Sequence, residues 1–96
     1  MNPPDFKPGR NIAVKIPPHE YDQTVAFYRD ILGLQQLNIQ GPGMVFDFGG
    51  KNLWLDKVDT LSQAEIWLEI RADDLDAAAE HFKSHGIIRR DEVEEL

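Results

Sequence analysis

The chain contains no cysteine. That excludes disulfides, zinc–thiolate centres and a cysteine nucleophile, and says nothing further about compartment. Long apolar runs are also missing: none approaches the roughly 18 residues a membrane-spanning helix needs. The opening MNPPDFKPGR has no apolar leader core, so the expectation is a cytoplasmic protein away from membranes. Positive charge is sparse, with ten Lys and Arg scattered among seventeen Asp and Glu for a net charge of −7. No basic stripe forms, which argues against nucleic acid as a partner, whereas an acidic field attracts cations. Low-complexity tracts are absent, and 42% apolar with 28% charged residues is the composition of a folded domain. Ninety-six residues leave room for one modest core, so residues 1–96 are expected to form a single domain.

Three prolines mark the first ten residues as an irregular arm. NIAVKI follows with Ile12, Val14 and Ile16 on one side and Asn11, Ala13 and Lys15 on the other, the period-two pattern of a half-buried strand. Pro17-Pro18 ends it. A helix fits Tyr21 to about Leu32, because Tyr21, Val25, Tyr28 and Leu32 form one apolar stripe and Gly33 stands ready to cap the C-terminus. QQLNI, MVFDF and NLWLDKV then read as three short strands, with turns at Gly41-Pro42-Gly43 and Gly49-Gly50. Residues 11–58 therefore read β-α-β-β-β.

The pattern then restarts. Laying 11–28 over 65–82 matches Ile12 with Ile66, Ile16 with Ile70 and Asp22 with Asp76. Val14 falls on Leu68, Tyr21 on Leu75, Tyr28 on Phe82, and one residue of drift later Gly33 meets Gly86. Agreement of strand phase, strand-to-helix spacing and terminal glycine identifies an internal repeat. Two unrelated strand–helix units under similar constraints are the alternative.

NIAVKIPPHEYDQTVAFYRDILGL, paired with WLEIRADDLDAAAEHFKSHGI, resembles the glyoxalase, bleomycin-resistance and extradiol-dioxygenase superfamily, the vicinal oxygen chelate proteins. The resemblance covers residues 11 to about 93. It implies an α+β fold of two βαβββ modules whose strands curl into a mixed-sheet cup, with the ligand, and often a divalent metal, on the concave side. Module one is expected over 11–58 and module two over 64–96. Transferring the repeat leaves module two with one strand after its helix, at about 88–93, so it is expected in a shortened form of about βαβ. A sheet edge left open in this way invites pairing, and the resemblance implies modules joined across chains, hence a homodimer.

In metal-dependent members of that superfamily, a His opens the first strand of each module and carboxylates lie near the ends of the last strands. This chain has Asn11 and Glu65 at the two His positions, with Asp56 as the fourth-strand carboxylate. Asn is a weak neutral ligand, and Glu65 with Asp56 would hold Mg²⁺ or Ca²⁺ only loosely. No metal ligand set and no cofactor are therefore assigned. Strand phase places Asn11, Lys15, Trp54, Asp56, Glu65, Trp67 and Glu69 on the cup side, joined by either Met44, Phe46 and Phe48 or Val45 and Asp47. Two tryptophans ringed by carboxylates suit a flat or cationic organic ligand, and they equally suit a filled cup floor.

No catalytic residue emerges. Glu65 and Glu69 lie four apart on one strand, roughly 13 Å, too far to share a proton. His81 and His85 have the i, i+4 spacing of a helical metal clamp but lack its Glu, and read as surface histidines, as does His19. The glycine turns open no helix and so form no phosphate cradle. The acidic end RRDEVEEL reads as a solvated face or a protected strand edge. The leading expectation is a metal-free protein that binds a small organic molecule in an open cup. The alternative is a divalent-metal lyase, isomerase or dioxygenase using Asp56 and Glu65, completed by a partner chain or further segment.

Overall fold

The computed structural model describes residues 4–41 and 43–87. The architecture is α+β: in chain order β1 (Phe6–Ile16), α1 (Pro18–Ala26) running into a π-helical turn (Phe27–Ile31), β2 (Met44–Phe48), β3 (Lys51–Lys57), β4 (Glu65–Ala72) and α2 (Leu75–Ser84). The strands form one open mixed sheet in the order β2-β3-β1-β4. β1 and β3 run parallel, and β2 and β3 antiparallel. Contacts divide the chain into two compact units, Gly9–Glu69 and Met1–Pro8 with Ile70–Leu96.

In the unit 9–69, one face of the sheet carries the core. Parallel register sets Ile12 beside Leu53 and Val14 beside Leu55. These pack with Ile16, Phe46 and, from α1, Val25, Tyr21 and Tyr28. Ile16, Phe46 and Leu55 are completely buried. Each such side chain stabilises the fold by about 1.5–3 kcal/mol relative to exposure. Tyr21 sits in this layer because its hydroxyl finds the Leu55 carbonyl, to which it donates at 3.2 Å.

The helix begins earlier than its apolar stripe implies. Pro17 is the N-cap and Pro18 the first helical residue, where a missing N–H costs nothing and the fixed φ favours helix. Its end also differs. The Leu32 amide donates to the Phe27 carbonyl, five residues back, and the wide turn leaves Leu32 exposed while Leu34 reaches the core. Gly33 then takes φ +68°, a left-handed value that glycine adopts without a Cβ penalty.

The segment around QQLNI is not a full strand. Gln36 makes an isolated bridge to Phe46, flanked by amide bonds from Leu37 to Val45 and from Asp47 to Gln35. Exposed Gln35, Gln36 and Asn38 give it no apolar face to bury, so the ladder stays short. The Gly49-Gly50 turn matches expectation, with both residues at positive φ as a two-residue primed hairpin requires. Pro42, the middle of the other glycine turn, lies outside the described residues, as do the strand expected near 88–93 and the acidic end.

In the other unit, the expected irregular arm is partly strand, since β1 starts at Phe6. The Asp5 amide donates to the Asp73 carboxylate and the Asp73 amide to the Asp5 carbonyl, so long-range pairing overrides the local proline signal. Phe6 stacks on Phe82 of α2 at 5.3 Å between ring centroids. Asp74 caps α2 by accepting from the Ala77 amide, and Gly86 at φ +76° ends it, with Ile87 donating to Phe82 and Gly86 to Lys83. His81 and His85 are joined through the His81 carbonyl and the His85 Nδ1 at 2.8 Å.

Along β4, Ile66, Leu68 and Ile70 alternate with Glu65, Trp67 and Glu69 as a strand should, and are 70%, 71% and 63% exposed. β4 stands at the end of the sheet order.

Candidate functional site

Register, not chance proximity, assembles the candidate site on the face opposite the core. Asn11 pairs with Asn52, Ala13 with Trp54 and Lys15 with Asp56 across β1 and β3, so all six side chains share one side. Antiparallel register adds Val45 opposite Trp54 and Asp47 opposite Asn52. This settles the choice left open by β2: Val45 and Asp47 belong to this face, while Met44 and Phe46 pack in the core. Along β4, Glu65, Trp67 and Glu69 alternate with the exposed Ile66, Leu68 and Ile70.

Asn11 is the hub at one end. Its Oδ1 accepts from the Trp54 indole at 2.9 Å and from the Asn52 amide at 3.1 Å, while its own Nδ2 donates to Glu69 Oε2 at 2.9 Å. An indole can only donate and a carboxylate only accept, so these neighbours fix which way the amide points. Glu69 Oε1 in turn accepts from the Arg10 and Asn11 backbone amides at 2.9 and 3.3 Å. Gly9 makes room for this carboxylate: a Cβ there would collide with Glu69 Oε1. Gly41 plays the same part for Trp54, whose ring a Cβ would meet at 2.5 Å.

Lys15 organises the other end. Its Nζ lies 2.8 Å from Asp56 Oδ2 and 4.9 Å from the centroid of the Trp67 ring. Both members of the ion pair are buried, and the second Asp56 oxygen, Oδ1, is buried with no hydrogen-bond partner among the described residues. The Trp67 indole donates to Glu65 Oε2 at 3.0 Å. The ammonium thus sits where a ring quadrupole and a carboxylate both favour a cation.

The seven residues singled out from sequence fall into these two groups, Asn11, Trp54 and Glu69 in one and Lys15, Asp56, Glu65 and Trp67 in the other. Asn52 was missed, although its place two residues before Trp54 carried the same phase signal. Glu65 and Glu69 have separate partners, one a tryptophan and the other Asn11, so they do not act as a pair.

The donor set does not fit a divalent metal. Asn11 is committed to three neighbours, and an ammonium already holds Asp56. Among the described residues no three His, Asp or Glu side chains gather as metal ligands. Among those residues, too, no helix is long and apolar enough to cross a membrane. No family model matches this chain, and neither does any curated protein.

Proposed function

We propose that this protein binds a small, flat organic molecule on the sheet face carrying Trp54 and Trp67, without a metal, as a cytoplasmic relative of the glyoxalase and bleomycin-resistance superfamily built from βαβββ-type modules. The observation that carries this reading is the Lys15–Asp56–Trp67 arrangement, in which the protein's own ammonium neutralises the most buried carboxylate of the face. A site organised in this way favours stacking and directional hydrogen bonds over Lewis-acid chemistry. It also revises the ligand class. Lys15 already serves the Trp67 ring, so a neutral aromatic ligand suits the face better than an organic cation.

Two measurements test the reading together. The purified protein, dialysed without chelator, is analysed for Mn, Fe, Ni and Zn, and its tryptophan fluorescence is titrated with neutral and cationic planar aromatics. Substoichiometric metal and a saturable response to neutral compounds that is lost in Trp67→Ala are expected. One tightly held metal per chain would instead favour the lyase, isomerase or dioxygenase alternative.

A further inference from the structure

α2 closes its C-terminus with side chains. The His85 amide donates to the Phe82 carbonyl, so the His81 carbonyl, four residues back, is one of the acceptors that a helix end cannot satisfy from its own backbone. Ser84 Oγ donates to it at 2.7 Å, and His85 Nδ1 lies 2.8 Å from it. A carbonyl only accepts, so Nδ1 carries the hydrogen, and in the neutral ring Nε2 keeps its lone pair. A ring N–H donated to a backbone carbonyl is the anchor that fixes a metal-binding imidazole.

The His81 ring stands over the same turn. The two ring centroids are 4.6 Å apart, and a metal held at about 2.0–2.1 Å from one nitrogen of each ring sets them about 5 Å apart. Phe6, stacked on Phe82, also lies 5.8 Å from the His81 ring and limits how that imidazole turns. Among the described residues none forms a hydrogen bond with the His81 ring nitrogens. The partial negative charge at a helix C-terminus favours a cation there.

We propose that His81 and His85 together bind one divalent ion of the Cu²⁺, Ni²⁺ and Zn²⁺ class, and that the ion clamps the last turn of α2. Imidazole selects these ions over Mg²⁺ and Ca²⁺, which take oxygen ligands, and the general affinity order places Cu²⁺ first. Among the described residues no third His, Asp or Glu side chain joins the pair, so water fills the remaining positions and the ion exchanges readily. The site shares no residue with the Trp54–Trp67 face and stands whether or not that face binds anything. An ion held by two imidazoles comes off on dialysis, which separates it from the tightly held metal of the lyase, isomerase or dioxygenase alternative.

The test is calorimetric titration of the full chain, stripped with chelator and dialysed, with Cu²⁺, Ni²⁺, Zn²⁺ and Mg²⁺. Saturable binding is expected for the first three, tightest for Cu²⁺, and none for Mg²⁺. His81→Ala and His85→Ala should each weaken it about tenfold or more, because a single imidazole then holds the ion. His19→Ala, which removes the chain's other histidine, should leave it unchanged. The Cu²⁺ complex should show coupling to two ring nitrogens in electron paramagnetic resonance, falling to one in either α2 variant. Zn²⁺ at about a hundred times its dissociation constant should slow hydrogen exchange along α2 about a hundredfold, since an opened helix loses the clamp. Absence of saturable binding overturns the proposal. So does binding that either α2 variant leaves unchanged or that depends on His19, or an α2 exchange rate indifferent to Zn²⁺.

Discussion

Lys15 shows how one residue type sets the character of a whole face. On an edge position a lysine would be solvated, yet here the parallel register puts its Cα beside that of Asp56 and the Trp67 ring lies 4.9 Å from its ammonium. Removing one member of a buried pair leaves the other charge without compensation, a larger penalty than the pair's own net worth. Asp56 is already short of a partner at Oδ1, which sharpens the effect. Lys15→Met is therefore expected to lower stability by about 3–5 kcal/mol in urea unfolding. Lys15→Met with Asp56→Leu should recover most of that loss, since the double variant buries no charge. A single variant within about 1 kcal/mol of wild type would show that the pair is effectively solvated.

At the level of elements, the two helices end by the same device through different routes. α2 closes with a regular six-to-one bond from Ile87 to Phe82, whereas α1 first widens into a π turn and then reaches from Leu34 back to Tyr28. Both finish on a glycine at positive φ, and neither Gly33 nor Gly86 has an atom within 4 Å of a would-be Cβ. The requirement at these positions is conformational rather than steric. Gly86→Ala should thus cost about 1 kcal/mol, close to the left-handed penalty itself, with α2 fraying visible in circular dichroism. Gly9 and Gly41 are the opposite case, because their missing side chains make room for Glu69 and Trp54.

Across the molecule, burial is unequal. The unit 9–69 holds Val14, Ile16, Val25, Phe46, Leu53 and Leu55 in one cluster. α2 has a single buried residue, Ala78, and its Leu75 is 77% exposed. Local opening free energy follows buried apolar contact. Hydrogen exchange should accordingly be slowest at the amides of β1 and β3 around Ile16 and Leu55, and faster by orders of magnitude along α2. Equal protection in both places would mean that the two open together.

Much of this was legible in the sequence, because period-two and period-3.6 patterns are local. They placed β1, β2, β3, β4 and both helices, and strand phase alone assigned Asn11, Lys15, Trp54, Asp56, Glu65, Trp67 and Glu69 to one side. Glycine at the helix ends and in the hairpin was equally readable, since positive φ is a property of single residues. Register belongs to tertiary structure. Only the pairing of β1 with β3 could decide that Lys15 meets Asp56, that Asn11 gathers Trp54, Asn52 and Glu69, and that Val45 rather than Phe46 joins the site face. The same holds for the exposure of Ile66, Leu68 and Ile70. A strand's pattern says which residues share a face, and what covers that face is decided by elements far away in the chain.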